Sequence, residues 1–261
     1  MTRSTDNPIP SAIRPVAKLI SLMFCLVLAA GCASQQTVEQ GGTSDPFEPV
    51  NRAIFRFNEY ADKYVARPVA QGYQFIFPSL IRTGVNNFFD NISYPIDILN
   101  AALQGKFKQA GLDTSRLIIN STIGVLGFMD PATGAGLVQN QEDFGQTFGT
   151  WGIPQGPYII VPIFGPRTIR SGVGDLAGLY VNPQFWLFNS SVQTKVNIVW
   201  LIHERSTLIG LDEEVQRAFD RYAFVRDAYL QNRQFLLHDG NPPEVPFDFE
   251  SEDEEFDDEF E

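Results

Sequence analysis

His203 and His238, with the adjacent carboxylates Glu142 and Asp143, are the side chains of this 261-residue chain best suited to acid–base work or metal ligation. Neither histidine lies in an HExxH or other metal-ligand spacing, so no metal site is predicted. The chain has no GxSxG nucleophile elbow, and its glycine-rich loops lack the lysine–serine pair of a phosphate-binding loop. Adjacent carboxylates such as Glu142 and Asp143 are ordinarily solvated, and His203, beside Glu204 and Arg205 at the end of an apolar helical pattern, reads as a helix C-terminal histidine. No catalytic residue and no cofactor is therefore predicted. A net charge of −12 also disfavours nucleic-acid phosphates as partners.

The remaining reactive groups are the thiols of Cys25 and Cys32. Arg3, Arg14 and Lys18 precede an apolar run, Leu19–Ala30, that ends in the small residues Ala29, Ala30 and Gly31. A helix of that length reaches about 18 Å, short of a ~30 Å hydrocarbon core. Residues 1–31 thus read as a secretory signal rather than a span. LAAGC around Cys32 resembles the lipobox of bacterial lipoproteins, which implies Cys32 as the lipid attachment site and the mature N-terminus. The alternative is an ordinary signal peptide with an incidental cysteine. Cys25 falls in the removed part, leaving one mature thiol and no internal disulfide. Ala33 and Ser34 follow, with no aspartate, and the lipobox reading then implies sorting to the outer membrane.

Positioning elements are legible in the periodicity. Residues 32–44 form a polar, glycine-containing tether, and residues 45–240 a helical domain. Val50, Ile54, Phe57, Tyr60, Ala61 and Tyr64 recur at helical spacing in a helix that opens at Asp45-Pro46 and ends near Arg67-Pro68. Ser93 is positioned to cap a helix opened by Pro95 and running to Gly105; further helices are predicted over Phe107–Ser121 and Gln193–Ile202. The last runs from an Asp212 N-cap to a stop at Gly240. With no sustained strand alternation and no βαβ pattern, the fold class is all-α. Residues 241–261 form an acidic tail whose charges repel one another, predicted disordered and serving either solubility or docking to a basic partner.

Aromatic residues are unusually frequent in segments broken by Gly, Pro or Asn, among them Phe75, Phe77, Phe128, Trp151, Phe164 and Tyr180. Part of this set is expected in the core and part against lipid. The run GPYIIVPIFGP combines strong apolarity with Gly156, Pro157, Pro162, Gly165 and Pro166, so it suits a loop or short hairpin. These residues, with Tyr158, form either a gating or channel segment or a buried structural corner.

The successive segments DPFEPVNRAIFRFNEYAD (45–62), ARPVAQGY (66–73), RTGVNNFFDNISYP (82–95), LQGKFKQA (103–110), EDFGQTFGTWG (142–152) and GPYIIVPIFGPRTIRSGVG (156–174) resemble the signatures of the MlaA (VacJ) family. The family often has Arg-Asp where this chain has Arg170-Ser171. The resemblance implies a ring-shaped assembly of amphipathic helices lying in the inner leaflet of the outer membrane, lipid-anchored on its periplasmic side and beside a trimeric porin. It further implies a central amphipathic channel that removes mislocalised phospholipids and passes them to a soluble periplasmic carrier. Phe57 and Asn58 are candidates for setting the ring shape, ordinary helix packing being the alternative for Phe57. A structural lipoprotein that only scaffolds porins is the competing reading; a phospholipase is disfavoured because no nucleophile–base pair is visible.

Overall fold

The computed structural model describes residues 45–184 and 188–243. Helix α1 (Glu48–Ala61) runs through a π-turn (Asp62–Ala66) directly into α2 (Arg67–Ile76). The expected stop at Arg67-Pro68 does not occur. At the π-turn the Arg67 N–H bonds the Asp62 carbonyl, five residues back, and this local widening accommodates a proline ring that has no N–H of its own. Arg205 and Arg67 brace the turn from outside through Asp62 and Asp212.

Helix α3 (Ser79–Leu103) likewise passes through Pro95, where a new helix start is predicted from sequence. Ser93 is not an N-cap; its hydroxyl donates to the Phe89 carbonyl. An internal proline costs about 3 kcal/mol. Here the cost is offset by the buried face of Phe89, Asn91, Tyr94, Asp97, Asn100 and Ala101. That face packs on α4 (Phe107–Thr122), whose buried residues are Asp113, Arg116 and Asn120. The α3–α4 interface is therefore polar and is organised around Arg116, which is 0% exposed. Its guanidinium donates to the Tyr94 hydroxyl at 2.6 Å, to Asp130 at 2.8 Å, to Thr133 at 3.1 Å and to the Leu137 carbonyl. Asn120 completes the seat by donating to Asp130 at 2.9 Å and accepting from the Ala132 N–H at 3.1 Å. The short α5 (Pro131–Gly134), capped by Asp130, is thereby tied to α4.

After α6 (Phe144–Thr150) comes the element that departs from an all-helical fold, an antiparallel hairpin of β1 (Tyr158–Val161) and β2 (Gly165–Thr168). Its connection is Pro162-Ile163-Phe164, with Ile163 at φ 70° and Gly165 at φ 79°. Two asparagines one heptad apart on α1 cover the free edge of β1. Asn51 donates to the Tyr158 carbonyl at 3.1 Å and accepts from the Ile160 N–H at 2.9 Å. Asn58 does the same for the Val161 carbonyl at 3.1 Å and the Ile163 N–H at 2.8 Å. Each amide thus stands in for a neighbouring strand.

A capping box of Thr168 and Ser171 starts α7 (Ile169–Val181), and the Ser171 hydroxyl also meets the Tyr229 hydroxyl at 2.8 Å. Helix α8 (Ser190–Thr207) precedes a 3-10 turn (Leu208–Leu211) and α9 (Asp212–Arg217). The chain breaks there, and Asp220 rather than Asp212 caps the final helix, α10 (Arg221–Leu237), by accepting from the Ala223 N–H. Arg52 grips Asp220 with two nitrogens, at 3.1 and 2.6 Å, joining α1 to α10. Between them lies a small apolar core of Tyr158, Ile160 and Tyr222.

Helices α6 and α7 meet backbone to backbone. A Cβ on Gly145 would lie 3.0 Å from the Ser171 Cα, and one on Gly174 would lie 3.0 Å from the Gly145 Cα. No side chain fits at this crossing.

Two outcomes test this account. Arg116→Met strands Asp130 and should cost about 3–5 kcal/mol in urea unfolding. Asn51→Ala, which orphans a buried N–H and carbonyl of β1, should cost about 1–3 kcal/mol, and more than Asn58→Ala at the exposed tip.

Candidate functional site

Two adjoining cavities open beside the segment 139–146. The first, about 290 Å³, is lined by Asn86, Phe89, Asp90, Ser93 and Asp97 of α3, by Trp200, His203 and Glu204 of α8, and by Leu236 of α10. The second, about 450 Å³, reaches Phe235, Asp239 and Gly240. Both use Gln139, Gln141, Glu142 and Gln146 as a common wall.

That wall is pinned by polar contacts. Glu142, which the sequence reading treats as solvated, is 4% exposed and accepts from Gln104 and Lys106, each at 2.8 Å. Its N–H donates to Asp97 at 3.2 Å. Asp143 caps α6 through the Gln146 N–H and pairs with Arg233 of α10. Thr147 donates to the buried Asn100 at 2.7 Å. The acidic pair at 142–143 is thus structural, holding the wall to α3 on one side and α10 on the other.

His203 also departs from expectation. Helix α8 continues to Thr207, so His203 is inside the helix and 4% exposed rather than at a helix end. Its Nδ1 lies 3.2 Å from the Tyr73 hydroxyl and its Nε2 lies 3.3 Å from Asn86 Oδ1. Asn86 spends its amide N–H on Asp90, at 2.8 Å, so its oxygen faces the ring as an acceptor. This arrangement makes Nε2–H the donor to Asn86, while the Tyr73 hydroxyl can serve Nδ1 as donor or as acceptor. Burial and the nearby Arg82 lower its pKa, the opposite of what a helix C-terminus would do.

Carboxylates dominate the first cavity. Burial raises Asp90 and Glu204 above the usual carboxylate range. Asp97 is pushed up to about 8 by burial first, then by the negative charges of Asp113, Asp90 and Glu142, against the opposing Glu142 N–H bond. Water-accessible space surrounded by polar side chains, inside a body with a small apolar core, suits passage of a polar group.

Outside, the pattern inverts. Tyr64, Val65, Val69, Phe75, Ile76, Phe77, Leu80 and Ile81 are exposed from the π-turn along α2 to the start of α3, with Phe75 at 93%. Trp151, Ile163, Phe164 and Tyr180 are exposed as well, whereas Phe89 and Tyr158 are buried. Among the described residues no helix is long and apolar enough to cross a membrane.

Of the sequence-derived candidates, Asn58 is on the hairpin edge and Phe57 faces outward at 55% exposure. Tyr158 is core, Pro166 pairs with Ile160, and Gly156 and Gly165 supply positive φ. None of Gly156, Pro157, Tyr158, Pro162, Gly165 and Pro166 lines either cavity. Cys32 and the acidic tail from 244 lie outside the described residues. The cavity residues themselves carry no local motif, being drawn from four separate stretches of chain; a run of uncompensated acids and amides at 86–97 is the nearest signal.

Because the folded state raises Asp97 from near 4 to about 8, its protonated form is the one that favours folding. That contribution is complete below the unfolded value and is lost as pH rises through about 8. The Tm should therefore fall from pH ~4 to ~8 and level off above, and Asp97→Asn, which keeps an oxygen for the Glu142 N–H, should flatten the fall. An unchanged slope in a thermal melt series would contradict the assignment.

Comparison with known proteins places these features in a lineage. The family model described as MlaA lipoprotein matches residues 43–236. The chain is 34% identical over 235 residues to the Escherichia coli K12 protein named intermembrane phospholipid transport system lipoprotein MlaA, covering 88% of this chain and 93% of that one. It is 30% identical over 230 residues to the Haemophilus influenzae protein of the same name, covering 85% and 91% respectively. A solved chain described as "Structural basis for maintenance of bacterial outer membrane lipid asymmetry" superposes with TM-score 0.68 and 31% identity, over 75% of this chain and 100% of that one. The protein belongs to the MlaA lipoprotein family.

Proposed function

We propose that this protein is an outer-membrane lipoprotein that removes phospholipids from the outer leaflet and so maintains lipid asymmetry. The observation that carries the reading is the pairing of a polar, carboxylate-lined cavity with an exposed apolar belt along α2 and α3, in a chain of the MlaA family. A phospholipid crosses hydrocarbon slowly because its charged headgroup must be desolvated. Polar walls lower that cost for the headgroup, while the exposed belt lets the protein sit among acyl chains in one leaflet. In this reading Cys32 carries the lipid anchor on the periplasmic side, the helices close into a ring around the channel, a trimeric porin stands alongside, and a soluble periplasmic carrier receives the lipid.

No covalent step is needed, and this protein acts as a transporter component rather than an enzyme. Both ring nitrogens of His203 are engaged by Tyr73 and Asn86, and His238 Nδ1 lies 2.9 Å from the Gln234 carbonyl, so neither is arranged as a base beside a nucleophile. The hairpin 156–166 serves as a fixed corner beside the channel, since its strand edge is clamped by Asn51 and Asn58 and its inner face is core. Its tip, Ile163 and Phe164, meets the leaflet.

Deleting the gene should raise phospholipid in the outer leaflet and sensitise cells to detergent with chelator. Expression of the intact chain should reverse both effects, and Cys32→Ala should not. Normal surface phospholipid in the deletion strain would sink the transport reading and leave a scaffolding lipoprotein.

A further inference from the structure

We propose that the cavity of about 290 Å³ is a subsite for the protonated amine of a zwitterionic phospholipid headgroup, with Asp97, Asp90 and Glu204 as its anionic partners and Phe89 and Trp200 as its aromatic lining. The proposal rests on the phospholipid-transport reading and names the substrate class that the channel selects.

Asp97 is the central observation. Its side chain is more than nine-tenths buried, at 7% exposure, yet it lines the cavity. One carboxylate oxygen accepts the Glu142 N–H, and among the described residues the other has no hydrogen-bond partner. Of the cations nearby, Lys106 pairs with Glu142, Arg233 with Asp143 and Arg116 with Asp130, while Arg82, close to His203, makes no salt bridge among the described residues. Among the described residues no salt bridge reaches Asp90, Asp97 or Glu204, and burial with the nearby Arg82 disfavours the charged form of His203. The cavity therefore combines three acids outside any ion pair of the described residues, Asp90 hydrogen-bonded by Asn86 and Asp97 by the Glu142 N–H, with two aromatic rings, the chemistry that recognises ammonium. Burial, deep at Asp97 and partial at Asp90 and the exposed Glu204, raises all three carboxyl groups, and an entering ammonium offsets that cost most at Asp97, where water is scarcest. Asp97, raised to about 8, is largely protonated in the empty site and ionises when an ammonium enters, a stabilisation that a headgroup only anionic does not supply, which makes the site selective rather than merely polar. Its volume, at the small end for a ligand site, suits a headgroup and leaves acyl chains outside.

The test uses the purified full chain in detergent micelles and isothermal titration with dihexanoyl phosphatidylethanolamine and dihexanoyl phosphatidylglycerol. The ethanolamine lipid should bind at least ~10-fold more tightly, about 1.4 kcal/mol. Asp97→Asn should remove most of that preference without weakening the glycerol lipid. Glu204→Gln, at an exposed position that does not endanger folding, should remove part of it. Equal affinity for the two lipids, or an equal loss for both in the variants, overturns the proposal while leaving phospholipid transport standing. Binding of neither lipid overturns the transport reading as well. Free O-phosphoethanolamine that binds as tightly as the lipid overturns the lipid assignment and points to a soluble amine.

Discussion

Arg116 is a cation held where water does not reach it, and most of the polar architecture follows from the need to satisfy it. A buried guanidinium without a full set of acceptors is strongly destabilising. This one obtains a tyrosine hydroxyl, a carboxylate, a threonine hydroxyl and a backbone carbonyl, from α3, from Asp130, from Thr133 and from Leu137. One of those four groups comes from the long helix α3 and three from residues 130–137, just ahead of the wall segment 139–146. Satisfying one charge therefore sets where that wall begins. The ion pairs of Lys106 with Glu142 and Arg233 with Asp143 then set where it ends. Such a network gives position more than net stability, since ion pairs lose in desolvation much of what they gain in attraction.

The same preference for polar contacts inside shapes the rest of the molecule. Among the described residues more polar and charged side chains than apolar ones are buried, while large apolar groups crowd the outside. In water such a surface would drive association, so it is consistent with a chain whose surroundings are partly hydrocarbon. Helices suit that setting because their backbone groups are bonded internally. The hairpin is the exception, and it is tolerated because Asn51 and Asn58 pair the β1 edge from within the protein.

The helical character, the start of α1 and the span of α4 are readable from spacing alone, because amphipathic periodicity is a local property. The aromatic surplus in broken segments also marks the outward-facing belt. What misleads is local punctuation overridden by packing. Pro68 reads as a stop but is absorbed by a π-turn, Pro95 reads as a start but lies within α3, and Asp212 outranks Asp220 as a cap until the break at 218–220 is seen. Glu142 and His203 look like surface residues because their partners, Lys106 and Tyr73, are distant in the chain. The cavity is illegible for the same reason. Its walls come from residues near 90, 140, 200 and 236, which no short pattern connects.

The crossing of Gly145 and Gly174 has a bearing on how this lineage could vary. Gly145 sits between two residues of the cavity wall, Asp143 and Gln146, and its lack of a side chain is what lets α6 rest on the backbone of α7. A single methyl there acts as a spacer that displaces the wall from its support. Glycine and alanine codons differ at one nucleotide, so the calibre of the cavity lies one base change away from alteration without any change in its charge.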